Sequence, residues 1–235
     1  MVVGHWFVIA SGAFFDPISN EPYNMFTRWV SDFAAKWPEG LWIKLSIAIF
    51  CLALADFVRL AINRFSDRPY AGLLKFWWLL LATAMIGGLV LVVLFDMSPA
   101  EFRLREPNAL SKLFGAKSYY AEVPRSSTEW VMRGHHQLGF QLFVSGFFLA
   151  AISLAWSEWR SGLRDAIPTT VYFLLLSSVF ACWLFLTQTT IAGIPQRALL
   201  ILMFVWVRRN LSTIIAMPRD ELGTRVLKTK DLLLP

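Results

Sequence analysis

Five stretches of the chain run for about twenty residues with few charges: 40–62, 72–95, 136–156, 168–186 and 196–216. A helix rises about 1.5 Å per residue, so roughly twenty apolar residues are what the ~30 Å hydrocarbon core of a bilayer requires. Each stretch is predicted to be a transmembrane helix. A sixth, 2–15, is short enough to be a thin or tilted span or a half-inserted helix. It lacks the basic leader and the small-x-small cleavage site of a signal peptide, so it is kept as part of the mature chain. The expectation is an all-α fold: one polytopic transmembrane helix bundle with six spans.

Local chemistry marks the ends of these helices. Pro38 and Glu39 precede the second span, with Trp37 and Trp42 on either side of its entry, and Asp67-Arg68-Pro69 forms a turn after it. Asp96, Ser98 and Pro99 close the third. Pro168 and Pro195 stand at helix starts, where a missing N–H costs nothing. The long polar segment 97–133 has apolar pieces of its own at 109–114 and 119–123, and is read as a partly ordered extramembrane cap. Neither an internal repeat nor a low-complexity tract interrupts the chain.

Composition agrees with this pattern. Of 235 residues, 57% are hydrophobic and 16% charged, where a soluble domain carries nearer a quarter charged. A soluble domain of this size has too little interior to bury five apolar helices, so the bilayer must act as solvent. The 11 Trp suit the membrane–water boundary. The net charge of +6 lies in loops and the C-terminal tail and makes no continuous stripe, so it is assigned to topology and anionic lipid, and nucleic acid is not an expected partner. Cys51 and Cys182 fall within apolar stretches and read as small core residues.

Lysine and arginine in the loops set the orientation. With both termini cytoplasmic, twelve of the 22 basic residues fall inside and ten outside. Six of the outer ones lie in the long 97–133 loop, where the positive-inside rule is weak. Both termini are therefore placed in the cytoplasm, and the expected location is a bacterial inner membrane.

This topology gathers the unusual polar residues at one level, the outer ends of the helices. They are Ser31 and Asp32 before the second span, Asp96 after the third, His135 and His136 opening the fourth, Thr187 and Gln188 after the fifth, and Gln196 and Arg197 opening the sixth. Ionisable groups near hydrocarbon usually face a bundle interior or a wet cavity, which suggests an outward-facing polar pocket. Gln137, Gln141 and Ser145 recur every four residues and share one helix face. They either hydrogen-bond to neighbouring helices or extend the pocket inward. The histidines either bond to loop carbonyls or, with Ser31 and an aspartate, form a nucleophile–base–orienter set. Arg197 at a helix start suits a lipid phosphate, an internal carboxylate such as Asp32 or Asp96, or snorkelling to the headgroups. Asp56 and Arg59 look like a local pair, and Gly87-Gly88 with Ala84 suits close helix packing.

No metal site is predicted and no catalytic residue is assigned. Haem would need paired histidines at bundle depth, and retinal a lysine deep in the last helix. Neither is present, and a pigment on a single histidine is the outside alternative. The expected ligand is a bound lipid.

The stretch 24–44, NMFTRWVSDFAAKWPEGLWIK, resembles the N-terminal signature of the Frag/DRAM/Sfk-like membrane proteins. More closely, the chain resembles the uncharacterised bacterial six-helix members of that clan, a domain of unknown function. Their motifs read here as Ser31-Asp32, Asp96-Met97-Ser98-Pro99, His135 or His136, and Gly193-Ile194-Pro195-Gln196-Arg197. The chain departs from the pattern in its short first helix and its long charged loop after the third. Relatives are associated with lipid handling, so the resemblance implies a lipid-related role without a settled activity. The expected function is binding of a lipid or similar amphipathic ligand in the outward-facing pocket. One alternative is an accessory subunit of a larger membrane complex, meeting other membrane protein subunits. Another is a membrane-embedded lipid hydrolase or transferase.

Overall fold

The computed structural model describes residues 40–66, 70–95, 101–113, 119–123, 126–160, 167–186 and 193–216. The short stretch at 2–15, together with Ser31, Asp32, Asp96, Thr187 and Gln188, lies outside the described residues. The described residues form six helices and two strands, in order α1 Gly40–Arg64, α2 Ala71–Leu94, β1 Glu101–Arg105, α3 Ala109–Leu113, β2 Tyr119–Val123, α4 Ser127–Arg160, α5 Ile167–Leu186 and α6 Gly193–Ala216.

Among the described residues, four helices are long and apolar enough to cross a membrane: α1 over Lys44–Arg64, α2, α4, and α5 over Ile167–Leu184. The protein is a membrane-spanning helical protein. α6 matches α2 in length at 24 residues, but Arg197, Arg208 and Arg209 confine its apolar run to the residues between them.

Successive long helices alternate in direction. The carbonyl of Phe95, just past α2, meets His136 near the start of α4, while Trp77 near the start of α2 donates to Ser153 near the end of α4 at 2.7 Å. The end carrying the α2–α4 connection is called here the hairpin end, and the opposite one, with the short α1–α2 connection, the turn end.

α2 and α4 make the closest contact. A Cβ on Gly88 would collide with the Gly139 carbonyl oxygen and lie 2.7 Å from the Phe143 nitrogen, and one on Gly139 would lie 2.6 Å from the Gly88 oxygen. Further along, Gly146 sits against Ala84 and Met85. In lipid, apolar helices gain little from simply avoiding the solvent, so association depends on this kind of backbone approach. Gly87 would meet nothing within 4 Å, so only Gly88 of the pair serves the contact.

The centre of the bundle is filled with aromatic rings. Trp206 of α6 packs against Phe57 of α1 at 5.2 Å, Phe147 of α4 at 5.4 Å and Phe173 of α5 at 5.3 Å between centroids, so one residue joins four helices. Its indole N–H donates to Thr170 Oγ1 at 3.1 Å, satisfying the one polar group the ring takes into the interior.

Two features differ from a plain hydropathy reading. α4 begins at Ser127, nine residues before the apolar stretch at 136, because Ser126 caps it: Glu129 N–H donates to Ser126 Oγ at 3.2 Å. Ser126-Ser127-Thr128-Glu129 has the spacing of a capping box. The 97–133 loop contains a two-stranded antiparallel sheet, with Glu101 opposite Val123 and Arg105 opposite Tyr119. The EFRLR of β1 alternates polar and apolar residues with the period of a strand. Between the strands lies α3, whose start is capped by Asn108 Oδ1 accepting from Ser111 N–H at 2.8 Å.

Candidate functional site

The last carbonyls of a helix have no partner within it. At the hairpin end one of these, on Phe95, accepts a hydrogen bond from His136 Nδ1 at 2.8 Å. A carbonyl can only accept, so Nδ1 carries the proton. His136 is buried. Its neighbour His135 is exposed, donates through Nδ1 to the Val131 carbonyl at 2.7 Å, and stacks on the Phe95 ring at 4.7 Å between centroids. The two histidines thus both hold Phe95, just past α2, one by its backbone and one by its ring.

α6 opens at the same end. Gln196 in its first turn is buried and Arg197 half-buried, and both have interaction partners. Gln137, Gln141 and Ser145 are all exposed along α4. Ser31, Asp32 and Asp96 fall outside the described residues, and so does any serine–histidine–aspartate arrangement that includes them. Among the described residues, no three His, Cys, Asp or Glu side chains converge as a metal site requires. The Asp56–Arg59 pair is present at 3.1 Å on the exposed face of α1.

A polar group at the turn end escaped the sequence reading. Arg64 Nη2 donates to Glu158 Oε1 at 2.7 Å, with the two side chains only 2% and 1% exposed. Arg64 Nε and Nη1 are buried without a hydrogen-bond partner. Ser157, Thr170 and Asn210 are also buried polar residues toward this end. In the sequence Arg64 reads only as one of the twelve basic residues placed inside, and Glu158 carries no signal of its own. The available signal was opposite charge at equal depth: both sit in the last turns of helices that run the same way.

The family model described as "Protein of unknown function (DUF998)" matches residues 1–208. The chain belongs to this family. The DUF998 match takes in α1 to α5, the apolar run of α6 and the candidate residues named above except Asn210, and it stops before the basic C-terminal tail. Neither a curated protein nor a solved structure matches the chain. What is shown is a membrane-spanning helical DUF998 protein in which, among the described residues, buried polar side chains lie toward both ends of the bundle.

Proposed function

We propose that the protein binds a lipid, or an amphipathic molecule with a similar anionic head, at the hairpin end of the bundle. The observation that carries this reading is the start of α6, where a half-buried Arg197 follows a buried Gln196. A helix start presents unpaired N–H groups and a positive dipole end, and an arginine there adds a planar donor suited to phosphate. In this reading the hairpin end faces outward, the bundle has six spans with both termini cytoplasmic, and the membrane is a bacterial inner membrane. The likeness to Frag/DRAM/Sfk-like proteins, with their link to lipid handling, supports the ligand class. Catalysis is not part of the proposal.

Native mass spectrometry of the protein released from phosphatidylglycerol-containing nanodiscs tests it. Wild type is expected to retain phospholipid, and Arg197→Gln to retain about tenfold less, the loss of ~1.4 kcal/mol of binding. Equal retention by both would remove the basis of the reading. A second reading, a subunit of a larger assembly, draws support from the exposed amides on α4.

A further inference from the structure

Gln137, Gln141 and Ser145 lie on one face of α4. All three are exposed, and none makes a side-chain hydrogen bond among the described residues. Their depth makes this costly. Gly139 lies against Gly88, Leu91 and Val92, and Gly146 against Ala84 and Met85, so Gln141 sits roughly one and a half turns, and Ser145 roughly two and a half turns, below the apolar end of α2. At that level α2 presents Val90 to its surroundings. An amide facing lipid tails has nothing to bond to, and leaving it so costs on the order of several kcal/mol.

The same face carries exposed Trp130 at one end of α4 and exposed Trp159 at the other. At about 100° per residue they are about 20° apart around the helix and roughly 43 Å apart along it. That separation is about the thickness of a bilayer with its headgroups. The amide stripe therefore runs down a face whose two ends are both marked by boundary-type residues.

We infer that this face is where a second copy of the chain docks, with Gln137 and Gln141 of the two copies hydrogen-bonded to each other inside the membrane. Two properties select a second copy. A carboxamide both donates and accepts, so the stripe is its own complement, whereas a different partner would need matching polar groups at the same two depths. Copies inserted with the same topology are related by a two-fold axis along the membrane normal. That axis sets the two α4 helices parallel and brings Gln141 level with Gln141, where each amide N–H can donate to the other's carbonyl. The inference requires only that α4 crosses the membrane and is independent of lipid binding at Arg197.

Disulfide trapping in phospholipid vesicles is the test, on the full chain with Cys51→Ala and Cys182→Ala. Gln141→Cys is expected to cross-link into dimers at least about tenfold more than Leu175→Cys, which lies on the exposed face of α5. Single-molecule counting at high lipid dilution should find two copies of wild type, one copy of the Gln137→Leu/Gln141→Leu variant, and two again for Gln141→Asn, which keeps the amide. Because leucine is at home in lipid, loss of association in the leucine variant does not require misfolding, and unchanged helicity by circular dichroism would verify this. The inference is overturned by a single copy of wild type or by equal trapping at both cysteines. Lipid retention by Arg197→Gln is read separately, so either idea can fail alone.

Discussion

Two ion pairs on α1 show how far burial changes the consequence of the same chemistry. Asp56 and Arg59 are each 65% exposed, and solvent screening leaves such a pair worth no more than about 1 kcal/mol. Arg64 and Glu158 are enclosed, so removing one partner strands a charge, at a cost of about 3–5 kcal/mol. In thermal unfolding of the detergent-solubilised protein, Glu158→Ala should lower the midpoint markedly, while Asp56→Ala should barely move it. Replacing both members, as Arg64→Met with Glu158→Leu, should recover much of the loss, because it removes the stranded charge. Sequence legibility followed chain distance here. Two opposite charges three positions apart on one helix announce a pair, whereas Arg64 and Glu158, 94 positions apart, meet only through the packing of the bundle. The sequence also left His135 and His136 interchangeable. Burial and the bond to Phe95 separate them.

Between elements, the decisive surfaces are small. Gly88 and Gly139 let α2 and α4 approach to backbone contact, so even one methyl group at Gly88 must push the helices apart, with a cost in the range of about 1–3 kcal/mol for overpacking. Gly87→Ala introduces no contact and should be neutral or slightly stabilising, since glycine disfavours a helix interior by roughly 0.5–1 kcal/mol relative to alanine. Comparing Gly87→Ala with Gly88→Ala by midpoint of unfolding isolates the interface from helix propensity. Spacing of small residues was readable in the sequence. Which of two adjacent glycines faces the partner was not, because that depends on the rotation of the helix about its axis. The early start of α4 was missed for a different reason: hydropathy registers membrane depth, and the helix continues into water for as long as its cap at Ser126 supports it. At 34 residues α4 is about 51 Å long, well beyond the hydrocarbon core.

For the whole molecule, the class of protein was legible because membrane solvation leaves a coarse and unmistakable trace: long apolar runs with charge confined to their ends. The interior was less so. Trp206 reads in the sequence as one more aromatic residue of a rich set, yet it joins α1, α4, α5 and α6. The expected concentration of polar residues at one end also needs enlarging, since Arg64, Glu158, Thr170 and Asn210 make the turn end at least as polar inside.

The bond between His136 and Phe95 has one more implication, for modularity. It joins two residues 41 positions apart, and together with the Gly88–Gly139 contact it holds both ends of the intervening segment against each other without help from the segment itself. The entropic cost of closing such a loop grows only slowly with its length, so the hairpin and α3 behave as a replaceable appendage on a finished strut. Exchanging 101–123 for a short glycine–serine linker should leave the unfolding midpoint of the bundle within a few degrees of wild type. A large fall would mean that the appendage braces the helices it joins. The segment is thus where the protein could accept or lose an extramembrane part while its membrane bundle stayed the same.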